Sequence, residues 1–559
     1  MRGDREDANI EAIKRQFADG KLSRRELVRF TTLLGLAAPA AYKLIGEAAP
    51  RPARAAGMPS GGTLRLFYRV RDLKTPHAYS WGAAIASQVV EYLTLTDDHN
   101  VTHPWLLKGW DVSEDLKTWT LNIRPGLKWH NGQDFTADDV VWNLKDLVDP
   151  AVGSSFVGLV KGYLMKEEDA GTDASGKPKK KLVLWDANAI EKVDSHTVRL
   201  NLKAPQISVP EHLYHYPATI LYPAEKGVFA PGSQGTGPFE LASTAIGKRA
   251  VLKAHRPYWG GVWNEGPYLD GIEFIDLGDD PAAPIAAIAS GQIHGMVSAD
   301  PSQYDALKQL PHLKYYEVTT AETAVLRMKV TEKPFTDARV RKAMRLGLDS
   351  KNVMEVALRG LGEPGDHTHV APVQPDYAPI PPMGRDVEAA KKLLAEAGYP
   401  NGFDTVLYAP NDLSWAVAEC QAAAEQWKDI GVRVKLNVVP GTEYWDNWTK
   451  LPFGATQWLH RPLGLMILDL AYRTGVPWNE TSYSNPEFDQ LLTEADSTID
   501  IAKRREIMGK LEQIMHEDGP VAQPLWRKIF TFWNQSVLGY TMHPSQYFYG
   551  NRLALQQTV

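Results

Sequence analysis

Residues 104–147 read PWLLKGWDVSEDLKTWTLNIRPGLKWHNGQDFTADDVVWNLKDL, and the fold prediction for this chain starts from them. Trp119, Leu121 and Ile123 alternate with polar residues, which is the period of a strand with one buried face. The segment 124–126 combines arginine, proline and glycine. Proline presets its backbone angle and glycine accepts a positive one, so this segment favours a turn. The first half of the stretch is therefore predicted to be a strand that ends in a turn.

The second half of the stretch is predicted to be a short strand followed by a helix. Residues 127–130 can return as the second strand, and the Asn-Gly pair at 131–132 favours a tight turn after it. Thr136 is a good helix N-cap, and Asp139 stands at the position that completes a capping box. Valine and leucine recur over 140–148 at helical spacing, which gives this helix one apolar face.

The same residues resemble the signature region of the family 5 extracellular solute-binding proteins, the dipeptide, oligopeptide and nickel receptors of bacterial ABC importers. From Trp110 to Val141 the sequence follows the patterns W-x-V-S-x-D, T-x-x-L-R-P-G-x-K-[FW]-H-[DN]-G and [FL]-T-A-D-D-V-[VA] almost without a break. The resemblance extends from about Thr63 to about Trp526. Further segments that resemble family motifs are 235–239 (GTGPF), 335–358, 386–403 and 483–489 (YSNPEFD).

The composition is that of a soluble globular protein with more than one domain. The chain has 559 residues, of which 44% are hydrophobic and 23% are charged, and this length allows two or three domains. The net charge of -6 gives no sign of the basic face expected of a nucleic-acid-binding protein. The single cysteine, Cys420, excludes an intramolecular disulfide. No cysteine lies near the N-terminus, so a lipoprotein anchor is not expected.

Residues 1–57 are predicted to be a cleaved signal peptide of the twin-arginine type. Arg24 and Arg25 precede a moderately apolar run, residues 27–41, which Arg29 interrupts. The small residues at 53–56 offer a cleavage site. The apolar run is too short and too broken to span a bilayer. The alternative is a disordered basic arm. Export would place the protein in the periplasm.

Alternating strands and helices with proline- and glycine-rich connections favour α/β architecture. The resemblance implies a two-lobe periplasmic binding protein of the type II-like, large class with an extra subdomain. Two hinge crossings, near 315–326 and 524–530, would join the lobes, and the ligand would lie in the cleft between them. The predicted divisions are lobe I at 60–318 plus 525–559, its subdomain at about 100–220, and lobe II at 319–524.

The sequence contains no pattern that indicates catalysis. There is no G-x-S-x-G, no H-E-x-x-H and no glycine-rich loop ending in G-K-[ST]. His367 and His369 could face a metal ion, but two histidines alone complete no site. The chain is therefore predicted to be no enzyme and to need no metal or cofactor.

The resemblance implies a receptor that captures a peptide or peptide-like solute and delivers it to an ABC permease and its ATPase. It is expected to be a monomer and to bind no nucleic acid. Two alternatives remain open. One is a periplasmic hydrolase or chaperone built on the same shell. The other is a receptor for a non-peptide solute such as an opine, an oligosaccharide or a metal complex. A transcription regulator is disfavoured because the N-terminus has the character of an export signal.

Aromatic side chains are the first candidates for ligand contact, because they give a large contact area at low entropic cost. Polar residues beside them complete the predicted set. The candidates are Tyr79, Trp81, Arg327, Tyr444, Trp445, Trp458, His460, Arg461, Trp478 and Asn479.

Arg461 marks a departure from the family pattern. In the peptide receptors, an acidic residue three positions after a tryptophan in lobe II binds the free amino group of the peptide. Arg461 stands at the corresponding position after Trp458. An arginine would repel an ammonium group and suits a carboxylate or phosphate, so an anionic or neutral polar ligand is predicted. Asp469 or Glu480 could instead supply the carboxylate that binds a peptide amino group, and Arg327 could add a second positive charge to the site.

Overall fold

The computed structural model describes residues 8–46, 58–78, 82–172, 178–263 and 266–556. Three helices open it, namely α1 (Ala8–Ala18), α2 (Arg24–Leu33) and α3 (Ala38–Leu44). Lobe I, the subdomain and lobe II are used below as names for the divisions predicted from the sequence, 60–318 plus 525–559, about 100–220 and 319–524. Lobe I begins with β1 (Thr63–Phe67), α4 (Ala83–Ala86) and β2 (Thr94–Thr96). The subdomain contains β3 (Thr102–Pro104), β4 (Leu107–Val112), β5 (Thr118–Ile123), α5 (Ala137–Leu147), α6 (Phe156–Leu164), β6 (Met165–Thr172), β7 (Pro178–Leu184), β8 (Ile190–Asp194), β9 (Thr197–Asn201) and α7 (Val209–His212).

Lobe I then resumes and leads into lobe II. Its elements are β10 (Phe239–Ala245), β11 (Arg249–Ala254), β12 (Gly271–Ile275), α8 (Ala282–Ala289), β13 (Gly295–Met296), α9 (Tyr304–Lys308) and β14 (Leu313–Met328). Lobe II contains α10 (Ala338–Leu346), α11 (Ser350–Leu358), β15 (Gly362–Pro364), α12 (Val387–Glu396), β16 (Asp404–Pro410), α13 (Ser414–Trp427), β17 (Arg433–Val439), α14 (Gly441–Asn447), β18 (Phe453–Trp458), α15 (Gly464–Ala471), α16 (Pro486–Ser497), α17 (Ile501–Asp518) and β19 (Val521–Ala522). The chain returns through β20 (Leu525–Asn534), β21 (Val537–Leu538) and β22 (Ala554–Leu555).

Two long strands connect the lobes. The main sheet has the strand order β10-β11-β12-β1-β13-β20-β14-β18-β16-β17. The first part of β14, residues 313–319, pairs antiparallel with β20, and its last part, residues 323–328, pairs antiparallel with β18 of lobe II. The register shifts between Thr319 and Glu322, where the strand passes from one lobe to the other. The cleft between the lobes therefore lies next to this break in pairing.

Residues 104–147 form most of the elements predicted for them. Trp119, Leu121 and Ile123 are buried along β5, as their alternation predicts. The Asp139 carboxylate accepts a 2.7 Å hydrogen bond from the Thr136 amide and caps α5. The predicted second strand at residues 127–130 is wrong. Only one bridge forms there, from Lys128 to Asp134, because the chain turns back too soon to pair further.

The Gly-Thr-Gly motif at 235–237 has a packing role. A Cβ on either glycine would overlap the backbone carbonyl of Val89, so only glycine allows this approach. The Gly237 amide donates to the Val89 carbonyl oxygen at 2.8 Å. Thr236 lies between the glycines, and its hydroxyl donates to buried Glu91 at 2.8 Å. The motif thus fixes residues 235–237 to the chain between α4 and β2, within lobe I.

Glu91 is 4% exposed and sits at the centre of a cluster of donors. Its carboxylate accepts hydrogen bonds from Tyr258 Oη at 2.6 Å and from Trp105 Nε1, Trp259 Nε1 and Thr236 Oγ1, each at 2.8 Å. Burial raises the pKa of Glu91 to about 7, because loss of hydration outweighs these four hydrogen bonds.

The Glu91 carboxyl group predicts a pH dependence of stability. A pKa raised from 4.5 to about 7 on folding means that the folded state binds the extra proton. The stabilisation that this proton gives the folded state is fully present below the unfolded pKa and is lost as the pH rises through the folded pKa. The free energy of unfolding falls by about 3 kcal/mol over this range. We expect Glu91→Gln to flatten the fall in the free energy of unfolding between about pH 5 and about pH 8.

Urea unfolding across this pH range measures the effect. Glu388→Gln is the control, because the Glu388 side chain is 84% exposed and should leave the pH profile unchanged. Equal pH profiles for wild type and Glu91→Gln would contradict this account of Glu91.

The subdomain packs directly on lobe II. One continuous apolar core includes residues of α5 and α6 together with residues of α15, α16 and α17. A Cβ on Gly158 of α6 would lie 3.3 Å from the Cα of Leu470, so the two helices approach closely. Lys161 of α6 donates to the Thr474 carbonyl oxygen. The structure is therefore a closed arrangement in which the seam between subdomain and lobe II is sealed. Within the described part of the chain, no helix is long and apolar enough to cross a membrane.

Candidate ligand-binding site

A cavity of about 310 Å³ lies between the two lobes. Lobe I contributes the segments 67–71, 278–284 and 297–303, together with Tyr216 and Gln546, and the return strand contributes Arg527. Lobe II contributes residues 411–415, Trp445, Trp448, 456–459, Arg461 and Trp478. The wall from lobe II is thus rich in tryptophan and the wall from lobe I is rich in charge.

Three tryptophans of lobe II support one another along the cavity wall. The ring of Trp478 makes edge contacts with Trp458 and Trp448, at centroid distances of 5.7 and 6.0 Å. The Trp458 indole N–H donates to the Glu480 carboxylate at 3.0 Å, which fixes its orientation. Such rings offer flat apolar contact to the body of a solute.

Arg461 provides an unusual positive charge on this wall. Its side chain is buried, and its guanidinium carbon lies 4.7 Å from the centre of the Tyr216 ring. Nη1 donates to the carbonyl oxygens of Leu459 and His460, each at 3.1 Å, while Nε has no hydrogen-bond partner among the described residues.

The other cavity arginines are already neutralised. Arg69 pairs with Asp276 and Asp279. Arg71 pairs with Asp412. Arg527 pairs with Glu322 at 2.9 Å. Of the four arginines that the structure places on the cavity, Arg461 alone has no carboxylate within ion-pair distance among the described residues.

Two polar contacts join the lobes along the cavity lining. The Arg71 guanidinium of lobe I pairs with the Asp412 carboxylate of lobe II. The Ser414 hydroxyl of lobe II donates to Asp300 of lobe I at 2.6 Å. Because both contacts need the lobes to be close, they stabilise the closed cleft.

Arg327 lies beneath the cavity floor, where its charge is neutralised. It is 0% exposed and pairs with the Glu480 carboxylate at 2.6 Å. It also donates to the Thr456 hydroxyl and to two backbone carbonyl oxygens. Burial raises the pKa of Glu480 while the charge of Arg327 lowers it. This buried pair supports the strand that carries Thr456 and Trp458.

The sequence-predicted site residues fall into three groups. Those on the cavity lining are Trp445, Trp458, Arg461 and Trp478. Those behind the lining, with internal hydrogen bonds, are Arg327, Tyr444, His460 and Asn479. Tyr79 and Trp81 lie outside the described residues. Burial lowers the pKa of His460 to about 3, so this side chain is neutral.

The carboxylates that could have replaced the family's acidic residue are engaged elsewhere. Asp469 is a buried residue of α15, and its carboxylate accepts a hydrogen bond from Arg473 Nε at 2.9 Å. Glu480 binds Arg327. The structure thus brings Arg461 to the cavity lining and keeps Asp469 and Glu480 off it.

Sequence reasoning missed several lining residues, among them Arg71, Tyr216, Asp300, Asp412 and Trp415. Their aromatic and charged character was visible, but nothing in the local sequence brings them together. The signal that could have singled out Asp412 is its position directly after β16, since side chains beyond the ends of parallel strands often line clefts.

Two groups of described residues have three potential metal ligands within 4.8 Å of one another: His130, Glu240 and His255, and Asp97, Asp98 and His99. In the first group both ring nitrogens of His130 already contact backbone, at Gly235 N and Gly237 O. Neither group lines the cavity between the lobes.

The fold and the cavity define a two-lobe solute-binding protein. Residues 101–463 match the profile of the bacterial extracellular solute-binding proteins, family 5. The chain belongs to this family, whose members are solute receptors of ABC importers. The resemblance and the two-lobe α/β fold predicted from the sequence are confirmed.

Named relatives bind different solutes. The glutathione-binding protein GsiB of Escherichia coli (strain K12) is 26% identical over 470 residues, which cover 78% of this chain and 83% of GsiB. The periplasmic binding protein AgaA from A. tumefaciens R10, solved with agropinic acid, has a TM-score of 0.77 at 22% identity and covers 89% of this chain and 99% of its own. DppA from Helicobacter pylori, solved with the peptide STSA, has a TM-score of 0.75 at 19% identity, with the same coverage.

Proposed function

We propose that this protein is the periplasmic receptor of an ABC importer for a peptide-like solute that carries an anionic group. The observation that carries the proposal is Arg461, a buried cation on the cavity lining with no carboxylate partner among the described residues. A charge removed from water needs a partner, and a carboxylate from the solute would supply it. The planar guanidinium fits a carboxylate through paired hydrogen bonds.

The walls around Arg461 favour a solute with an organic body. The body would lie against Trp458 and Trp478, and the polar contacts between the lobes would close over it. Agropinic acid in AgaA and glutathione in GsiB are both organic acids, which agrees with an anionic solute here. An acidic or modified peptide or an opine-like conjugate satisfies this description better than a peptide recognised by its amino group.

Mass spectrometry of what co-purifies with the protein tests the proposal directly. A thermal-shift panel should then include glutathione, opine-like conjugates, unmodified dipeptides and neutral oligosaccharides. We expect anionic conjugates to raise the melting temperature and to remain chemically unchanged after incubation. A product peak would favour the hydrolase alternative, and a preference for neutral sugars would overturn the assignment to Arg461.

The N-terminal residues support export by the twin-arginine route. Arg24 and Arg25 are exposed at the start of α2, where a receptor could reach them. The predicted cleavage segment, residues 53–56, lies outside the described residues. We expect replacement of both arginines by lysine to abolish delivery to the periplasm, because lysine lacks the guanidinium fork. Immunoblots of cell fractions measure this. An unchanged amount of the double-lysine variant in the periplasm would contradict the twin-arginine assignment. The single variant Arg15→Lys serves as the control and should be exported normally.

A further inference from the structure

Helix α2 lies across the seam between the subdomain and lobe II. Arg29, at its centre, is 4% exposed and contacts both sides. Its Nε donates to Glu211 Oε1 in the subdomain at 2.9 Å, and its Nη1 donates to the Pro462 carbonyl oxygen of lobe II at 3.1 Å. Glu211 is itself 2% exposed. One side chain therefore joins the two halves of the molecule through a buried ion pair and a hydrogen bond.

The apolar residues around Arg29 are also buried against the folded body. Leu27, Phe30 and Leu33 of α2 pack in one cluster with Leu116 and Ile207 of the subdomain and with Ile501 of lobe II. The Trp110 indole N–H of the subdomain donates to the Leu33 carbonyl oxygen at 2.9 Å. The apolar run of the N-terminal segment thus covers apolar surface of both the subdomain and lobe II. Removing this surface from water stabilises the docked segment.

Further polar contacts attach the segment to lobe II. The Ile501 amide at the start of α17 donates to Gln16 Oε1 at 3.0 Å. Arg505 of α17 pairs with Glu26. The Arg504 guanidinium lies 5.4 Å from the centre of the Phe30 ring. Helices α1 and α2 therefore contact α17 along more than one turn.

The two anchor points of Arg29 are continuous with the walls of the ligand cavity. Pro462 follows Arg461 directly in the chain. Glu211 belongs to α7, and the short segment after it carries Tyr216, the ring under the Arg461 guanidinium. A force that separates the lobes at the cavity would therefore have to break the contacts of Arg29.

We propose that residues 8–46 act as a strap that holds the two lobes closed around the cavity for as long as the segment remains attached. Its removal would take these contacts from the seam and leave the apolar core between the subdomain and lobe II in place, so that the mature receptor opens and exchanges solute more readily than the precursor. The proposal depends on the proposed export function only for the cleavage that removes the segment. The docking itself stands on the contacts of Arg29, α2 and α17.

The test uses the full chain without any ligand, so its result does not depend on the identity of the solute. Spin labels are placed at Lys145→Cys in the subdomain and Lys510→Cys in lobe II, two exposed positions. The native Cys420 is 0% exposed and should not react. Hydrogen exchange of the α2 amides reports docking, and the distance distribution between the labels reports lobe opening.

Arg29→Met is the main variant, and Arg15→Met is its matched control, because Arg15 belongs to α1 of the same N-terminal segment and is exposed. We expect Arg29→Met to speed exchange at residues 27–33 at least about tenfold, since it leaves Glu211 buried without its partner. We also expect longer distances between the labels. Arg15→Met should reproduce the wild type in both measurements.

Glu26→Gln is a milder second variant that removes the charge paired with Arg505, although Glu26 Oε2 also accepts a 2.8 Å hydrogen bond from the Ser23 amide in the capping box of α2. It should shift both readouts in the same direction to a smaller extent, and the label distances are its decisive readout because capping of α2 does not by itself change them. Unprotected α2 amides in the wild-type chain would show that the segment does not dock. Faster exchange in Arg29→Met with unchanged label distances would show that the docked segment does not hold the lobes. Either result overturns the strap, and neither bears on solute binding at Arg461.

Discussion

Replacement of Arg461 by methionine is expected to weaken binding of the anionic solute about 100-fold, which corresponds to about 3 kcal/mol. Loss of one partner from a buried, hydrogen-bonded charge pair costs about 2–5 kcal/mol or more of binding free energy in protein complexes. Arg461→Lys should give an intermediate loss, because it keeps the charge without the planar fork. Titration calorimetry with the co-purifying solute, or with the strongest ligand of the thermal-shift panel, measures the change.

Arg69→Met is the informative control for this experiment. Arg69 also lines the cavity, but Asp276 and Asp279 already neutralise its charge. We expect this variant to change affinity by less than about fivefold, because the solute need not supply a partner. If Arg461→Met leaves affinity unchanged, or if Arg69→Met weakens binding more, the anionic group of the solute binds elsewhere and the proposed recognition is wrong.

Arg327→Met is expected to cause the largest loss of stability among the substitutions considered, about 3–5 kcal/mol in the free energy of unfolding. The substitution leaves the Glu480 carboxylate buried without its charged partner, and it also removes donors to two backbone carbonyl oxygens. Urea unfolding of wild type and variant measures the difference. The double substitution Arg327→Met with Glu480→Gln should recover part of it, since neither position then carries a buried charge.

Arg433→Met provides the matched comparison. Arg433 pairs with Asp404 at 2.6 Å, but their side chains are 55% and 79% exposed. Exposed ion pairs contribute up to about 1 kcal/mol, so we expect a small change in this variant. Equal losses from Arg327→Met and Arg433→Met would mean that the buried pair contributes no more than a surface pair, contrary to the role assigned to it.

The sequence predicted local structure well wherever a few neighbouring residues decide it. The alternation around Leu121 and the capping box at Thr136 both gave the observed elements. The prediction failed at 127–130, where the chain turns back too soon and the run makes a single bridge instead of a strand. Strand formation depends on a distant partner as well as on the run itself, whereas a helix satisfies its own hydrogen bonds.

The site shows the same division between local and distant information. The sequence by itself determined the family, the two-lobe fold and a tryptophan-rich lobe II with an arginine at position 461, because motifs and periodicity lie within short stretches. Only the tertiary structure decided which charges are free. Arg327 is paired with Glu480 and Arg29 with Glu211, whereas Arg461 has no carboxylate partner among the described residues. Partners far apart in the chain meet only through packing, and burial then makes each pairing energetically decisive.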